Sequence, residues 1–124
     1  MKISENQLEE RTLIEFGLSA AAMLSNGEFE ELAKQFGYAL AYERDPAKAI
    51  AEDLEAVLCD AGTSDSSDPV QVTVKYFEQN DAHLLAVVEC LVTVASGGLV
   101  LLGLVAARNG QVINLFLEDL NAVA

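Results

Sequence analysis

The sequence predicts an α+β domain: N-terminal helices packed on a curled antiparallel sheet. Apolar residues recur at helical spacing through the first half of the chain. Near residue 70 their period shortens to two, the mark of strands with one wet face. Turn signals at Gln79-Asn80-Asp81, Gly97-Gly98 and Asn109-Gly110 then cut the second half into four strands.

The first predicted helix starts at Ser4, where Ser4-Glu5-Asn6-Gln7 has the form of a capping box. Leu13, Phe16, Ala20 and Leu24 form its stripe, widened by Ile14, Leu18 and Ala21. Ser25-Asn26-Gly27 ends it. Ser25 and Glu28 read as a second capping box opening a short helix with Phe29, Leu32, Ala33 and Phe36 on its buried face. From Phe36 to Tyr42 large and small residues alternate, which predicts a short strand. Asp45-Pro46 starts a third helix, with Asp as N-cap and Pro in the first position. Ile50, Leu54, Val57 and Leu58 line its face, and Gly62 closes it. Residues 62–69 read as a polar loop.

Val70, Val72, Val74 and Tyr76 alternate with Gln71, Thr73 and Lys75 in the first long strand. Leu84–Val94 and Leu99–Arg108 follow, and Asn109-Gly110 predicts a type I′ hairpin into Val112–Leu117. The later strands are apolar on both parities. One face suits the helices. The other suits a partner sheet, most simply a second copy, so a homodimer through the outer sheet face is expected.

Length and charge narrow the function classes. The 124 residues suit one domain, 1–124, and a hydrophobic fraction of 52% supports a real core. Twenty acidic residues against seven basic ones give a net charge of −13. Phosphate backbones and anionic membranes both require Lys/Arg, so neither nucleic acid nor a membrane surface is an expected partner. The carboxylates are scattered over the helical half, not set in the ordered rows of a DNA mimic. Residues 90–107 are uncharged over 18 positions, close to the length of a spanning helix. The Ser96-Gly97-Gly98 turn and the β-branched Val and Thr make two buried strands the better reading. Cys59 and Cys90 fit neither a disulfide framework nor a metal motif, and no signal peptide opens the chain. A reducing cytoplasm is the expected location. No phosphate loop, dinucleotide fingerprint, zinc spacing or serine nucleophile motif occurs, so no cofactor or metal is expected.

The run Asn26-Gly27-Glu28-Phe29-Glu30-Glu31-Leu32 leading to Phe36, with Ala49-Ile50 in a following helix, resembles the nuclear transport factor 2-like (cystatin-like) superfamily. The ending resembles it too, from the apolar strand through Asn109-Gly110-Gln111-Val112-Ile113 to Glu118-Asp119. The resemblance implies a cone-shaped α+β barrel with a pocket between helices and sheet. It also implies a choice among ketosteroid isomerase-like enzymes, cyclases, dehydratases and non-catalytic binding or assembly modules.

Asp45-Pro46 resembles the Asp-Pro step that carries the general base in ketosteroid isomerases, although its fit to a helix start makes an N-cap the first reading. Tyr38 and Tyr42 share a parity and are candidate ligand donors, with core aromatics as the plainer reading. Glu89 interrupts an apolar strand. It is either a pocket carboxylate, and then the preferred catalytic residue, or a group on the solvent or interface side. Asn114 and Glu118 share a parity in the last strand and are candidate pocket groups, or else its wet face. His83, in a turn, carries no catalytic weight.

Three functions follow from these residues. The first is a small-molecule-binding domain for an apolar ligand. The second is an isomerase-, cyclase- or dehydratase-type enzyme using a carboxylate and a tyrosine. The third is an assembly module with a filled interior.

Overall fold

A computed structural model describes residues 1–60, 71–81, 83–93 and 99–122. The expected helix stop at Gly62, the loop 62–69, the strand positions Val70 and Val94, and the Ser96-Gly97-Gly98 turn lie outside these residues.

The chain opens with a two-residue strand, β1 (Lys2–Ile3), and a 3-10 turn over Glu5–Leu8. Helices α1 (Glu10–Ser25), α2 (Phe29–Phe36) and α3 (Pro46–Asp60) follow. Strands β2 (Gln71–Tyr76), β3 (Leu84–Thr93), β4 (Leu99–Asn109) and β5 (Val112–Ala122) complete the fold. They form one antiparallel sheet in the order β1-β5-β4-β3-β2, open at both edges. The stretch weighed as a membrane span is strand over 90–93 and 99–107. No described helix is long and apolar enough to cross a membrane.

Strand parity decides what packs against the helices. Ala86, Val88, Cys90 and Val92 of β3 face inward with Val100, Leu102, Leu104 and Ala106 of β4. Ile113, Leu115, Leu117 and Leu120 of β5 join them. Leu13, Ala20, Ala21 and Leu24 of α1, Leu32 and Phe36 of α2, and Ile50 and Leu54 of α3 complete one core. Each buried Val, Leu, Ile or Phe among them contributes roughly 1.5–3 kcal/mol by leaving water. Gly17 lets α1 settle onto the sheet: a Cβ there would lie 2.9 Å from Val88 Cγ1, 3.0 Å from Cys90 Sγ and 3.1 Å from Val72 Cγ1.

Several local expectations change. Ser4 and Gln7 do pair, with Gln7 Oε1 accepting from the Ser4 amide at 2.8 Å, but they cap the 3-10 turn and α1 starts later. Ser25 is the last residue of α1, and its hydroxyl donates to Thr93 O at 3.1 Å; no capping box opens α2. The expected strand at 36–42 reduces to one bridge, Tyr38 to Leu117, followed by a 3-10 turn over Ala39–Ala41. The β4–β5 hairpin turns one residue later than expected. Asn109 pairs with Val112, so Gly110 and Gln111 are the central residues. Gly110 has φ +65° and Gln111 does not share the positive sign, which suits type II′ and excludes type I′.

Candidate functional site

The side chains proposed from the sequence do not converge. Asp45 is an N-cap: its Oδ2 accepts from the Lys48 amide at 3.1 Å. Glu89 lies on the outer face of the sheet, opposite Thr73, and its Oε1 is 3.1 Å from Lys75 Nζ. Tyr42 is 82% exposed and held at φ +54° after the 3-10 turn. The shared strand parity expected of Tyr38 and Tyr42 therefore does not exist. Asn114 pairs with Ala107 and Lys2, away from the helices. Glu118 is the extra residue of a β-bulge between Leu117, which faces Leu104, and Asp119, which faces Gly103. It is exposed, and partial burial and nearby Asp119, in that order, raise its carboxyl above the usual range.

Tyr38 has a partner that sequence reasoning missed. Its ring is in the core at 8% exposure, and its hydroxyl donates to Asp53 Oδ2 at 2.6 Å. Arg44 Nη1 and Nη2 donate to the same carboxylate at 3.0 and 3.2 Å. Arg44 also donates from Nη2 to Leu40 O at 2.7 Å and from Nε to Ala41 O at 3.2 Å. This network ties the turn after α2 to α3. The hydrogen bond from Arg44 holds the Asp53 carboxyl below its usual range, and burial holds the Tyr38 phenol protonated. With its hydroxyl proton committed to Asp53, Tyr38 is a strut and not a free donor.

Open clefts formed by described residues lie outside the core. One of about 550 Å³ lies between the starts of α2 and α3, lined by Phe29 and Ala47 and rimmed by Glu28, Glu30, Glu31 and Asp45. Among the described residues no cluster of three or more His, Cys, Asp or Glu could hold a metal ion. Aliphatic side chains face one another between helices and sheet, with Leu13, Leu32, Ile50, Leu102, Leu104 and Leu115 all fully buried.

The outer face of the sheet is the distinctive surface. Val87, Val105 and Phe116 form one row across β3, β4 and β5, and Leu91 and Leu101 form another. Leu99 extends the patch opposite Thr93. None of these side chains belongs to the core cluster or packs against it, although Val105 is only 2% exposed. Between the two rows runs Thr73–Glu89–Gly103–Asp119 in direct register. Asp119 lies over Gly103, with Oδ1 2.6 Å from where a Cβ would stand. The face thus combines aliphatic and aromatic rows with two carboxylates and one internal ion pair.

Family models, curated proteins and solved structures were compared with the chain, and none matches it.

Proposed function

We propose that this protein is a non-catalytic assembly module that works as a homodimer closed through the outer face of its sheet. The observation that carries this reading is the pair of apolar rows, Val87–Val105–Phe116 and Leu91–Leu101, on the face opposite the described helices. Half-buried aliphatic and aromatic rows on a sheet face that the helices do not cover are the ordinary substance of an interface core. Charge distribution supports a second copy as the occupant. Thirteen of the twenty acidic residues lie in residues 1–60. The charged side chains on the outer face of β2–β5 among the described residues are Lys75, Glu89 and Asp119, with Glu118 exposed at the bulge beside Asp119. Two copies meeting there keep their acidic helices apart.

The small-molecule reading is the weaker proposal, because the side chains between helices and sheet are buried aliphatics and no buried polar or charged side chain stands among the described residues to orient a ligand. The enzyme reading is weaker still, with Asp45 engaged as a cap and Glu89 paired on the opposite face. Our assignment to the nuclear transport factor 2-like superfamily rests on the order of elements, helices first and antiparallel strands after. A cytoplasmic location remains part of the proposal and is supported by the free thiol of Cys90.

Sedimentation equilibrium tests the assembly reading. The wild-type chain should sediment at twice its monomer mass at micromolar concentration. Phe116→Glu, which puts a charge into the apolar row without entering the core, should weaken the dimer by about thirtyfold or more. A monomeric wild type, or a variant that dimerises equally well, overturns the proposal.

A further inference from the structure

We infer that the free edge of β2 and the adjoining flank of α1 form a groove that takes an extended, basic segment of another protein as an added strand. Strand β2 ends the sheet, and among the described residues nothing pairs with its outer side. The register shows which backbone groups that leaves open. The Phe77 amide donates to Leu85 O at 3.0 Å, continuing the β2–β3 ladder. Antiparallel pairs alternate, so Lys75, Thr73 and Gln71 turn their N–H and C=O groups towards β3, and Tyr76, Val74 and Val72 turn theirs outward. Such a row is a template for one more strand, which edges commonly block with a bulge, a proline or a lysine. Strand β2 has no bulge and no proline, and its Lys75 is held by Glu89 at 3.1 Å.

Helix α1 supplies the second wall. Gly17 seats it on Val72, Val88 and Cys90, over β2 and β3, while α2 and α3 pack on the β4–β5 side. At about 100° per residue, Phe16, Ala20 and Met23 fall on one flank of Gly17, and all three belong to the core or pack against it. Ile14 and Leu18 fall on the other flank, which overhangs the open edge. Neither belongs to the core or packs against it, and Leu18 is 45% exposed. An added strand presents alternate side chains to these two residues, beside Val74 and Tyr76, while its backbone bonds to the edge.

Charge selects the occupant. The chain carries −13, and Glu9 and Glu10 stand within electrostatic reach of the Tyr76 hydroxyl at one end of the groove. The other charged side chains of α1 are Arg11 and Glu15, both exposed. A basic segment is drawn to this surface, and a second acidic copy set edge to edge is repelled.

The probe is a peptide of about seven residues alternating lysine and valine, long enough to span β2. In nitrogen-15 correlation spectra at low salt it should shift the amides of Val72, Val74, Tyr76, Ile14 and Leu18, with an affinity that falls as salt is added. Val74→Pro removes the central outward N–H without touching the bonds to β3, and should weaken binding by about tenfold. Leu18→Lys sets a like charge at an exposed position of the flank and should weaken it by about as much. A peptide with glutamate in place of lysine should not bind. Far-ultraviolet circular dichroism checks the fold of each variant, and if Val74→Pro fails to fold, Leu18→Lys carries the comparison. Phe116→Glu, on the outer face, should bind the lysine peptide as wild type does, which separates this inference from dimerisation. A wild-type chain that does not bind the lysine peptide, shifts confined to other surfaces, or folded groove variants that bind it as tightly as wild type overturn the groove and leave the assembly reading standing.

Discussion

Replacing Gly17 with alanine sets two effects of known sign against each other. In a solvent-facing helical position, Gly→Ala stabilises by about 1 kcal/mol through backbone entropy. At Gly17 the new methyl would stand 2.9 Å from Val88 Cγ1, 3.0 Å from Cys90 Sγ and 3.1 Å from Val72 Cγ1. Carbon atoms pack best at roughly 3.5–4.0 Å, so all three contacts are short by about half an ångström or more. Neither Val88 nor Cys90 can swing into solvent, because both are fully buried. Helix α1 must therefore lift, or β2 and β3 must yield. Overpacking of this kind costs about 1–3 kcal/mol. The net expectation is a loss of up to about 2 kcal/mol, read as a lower urea midpoint at unchanged m-value. A variant about 1 kcal/mol more stable than wild type would refute the seating of α1 on β2 and β3, since only the helix-propensity effect would then remain.

Three further outcomes follow from the structure. Asp53 is held below its ordinary value near 3.8 chiefly by Arg44, so its contribution to stability is complete above that value and lost as pH falls through the folded one. Asp53→Asn should thus cost stability at neutral pH, by a margin that shrinks as pH falls below the ordinary carboxyl range in urea titrations; a pH-independent difference would contradict the ionic origin. Burial pushes the Cys90 thiol up to about 12, so peptide mapping after iodoacetamide at mildly alkaline pH should find it unmodified in the folded protein and modified in urea. Rapid labelling in the folded state would contradict its position under α1. Tyr42 combines 82% exposure with φ +54°, a conformation glycine tolerates, so Tyr42→Gly should leave thermal stability unchanged or raise it by up to about 1 kcal/mol. A loss above about 1 kcal/mol would mean that the ring packs against something.

The fold was legible because its signals are periodic. Ile50 and Leu54 of α3 repeat at helical spacing, and both are buried; Val72 and Val74 of β2 alternate with wet Gln71, Thr73 and Lys75 as the period of two requires. Non-periodic features were harder to read. Strand β1 is two residues long and exists only because the partner edge of β5 is there to pair with it. Tyr38 sits in an alternating stretch with strand character, but the chain closes into a 3-10 turn after one bridge because Arg44 gathers the carbonyls of Leu40 and Ala41. Arg44 and Asp53 are nine residues apart with a turn and a helix start between them, a separation that carries no local pattern. Candidate site residues depended on strand parity. Glu118 became a bulge residue, which put Asp119 on the outer face where plain alternation would have put it on the inner one. The outer apolar face itself was visible, in the strands apolar on both parities.

The most direct test of the account is an isotope-filtered nuclear Overhauser experiment on a mixture of carbon-13-labelled and unlabelled chains, which detects only contacts between copies. The expected result is a set of intermolecular signals joining the methyls of Val87, Leu91, Leu101 and Val105 to one another and to the ring of Phe116. Intermolecular signals that arise instead from the helices, at Leu18 for example, or none at all at concentrations well above micromolar, would contradict it.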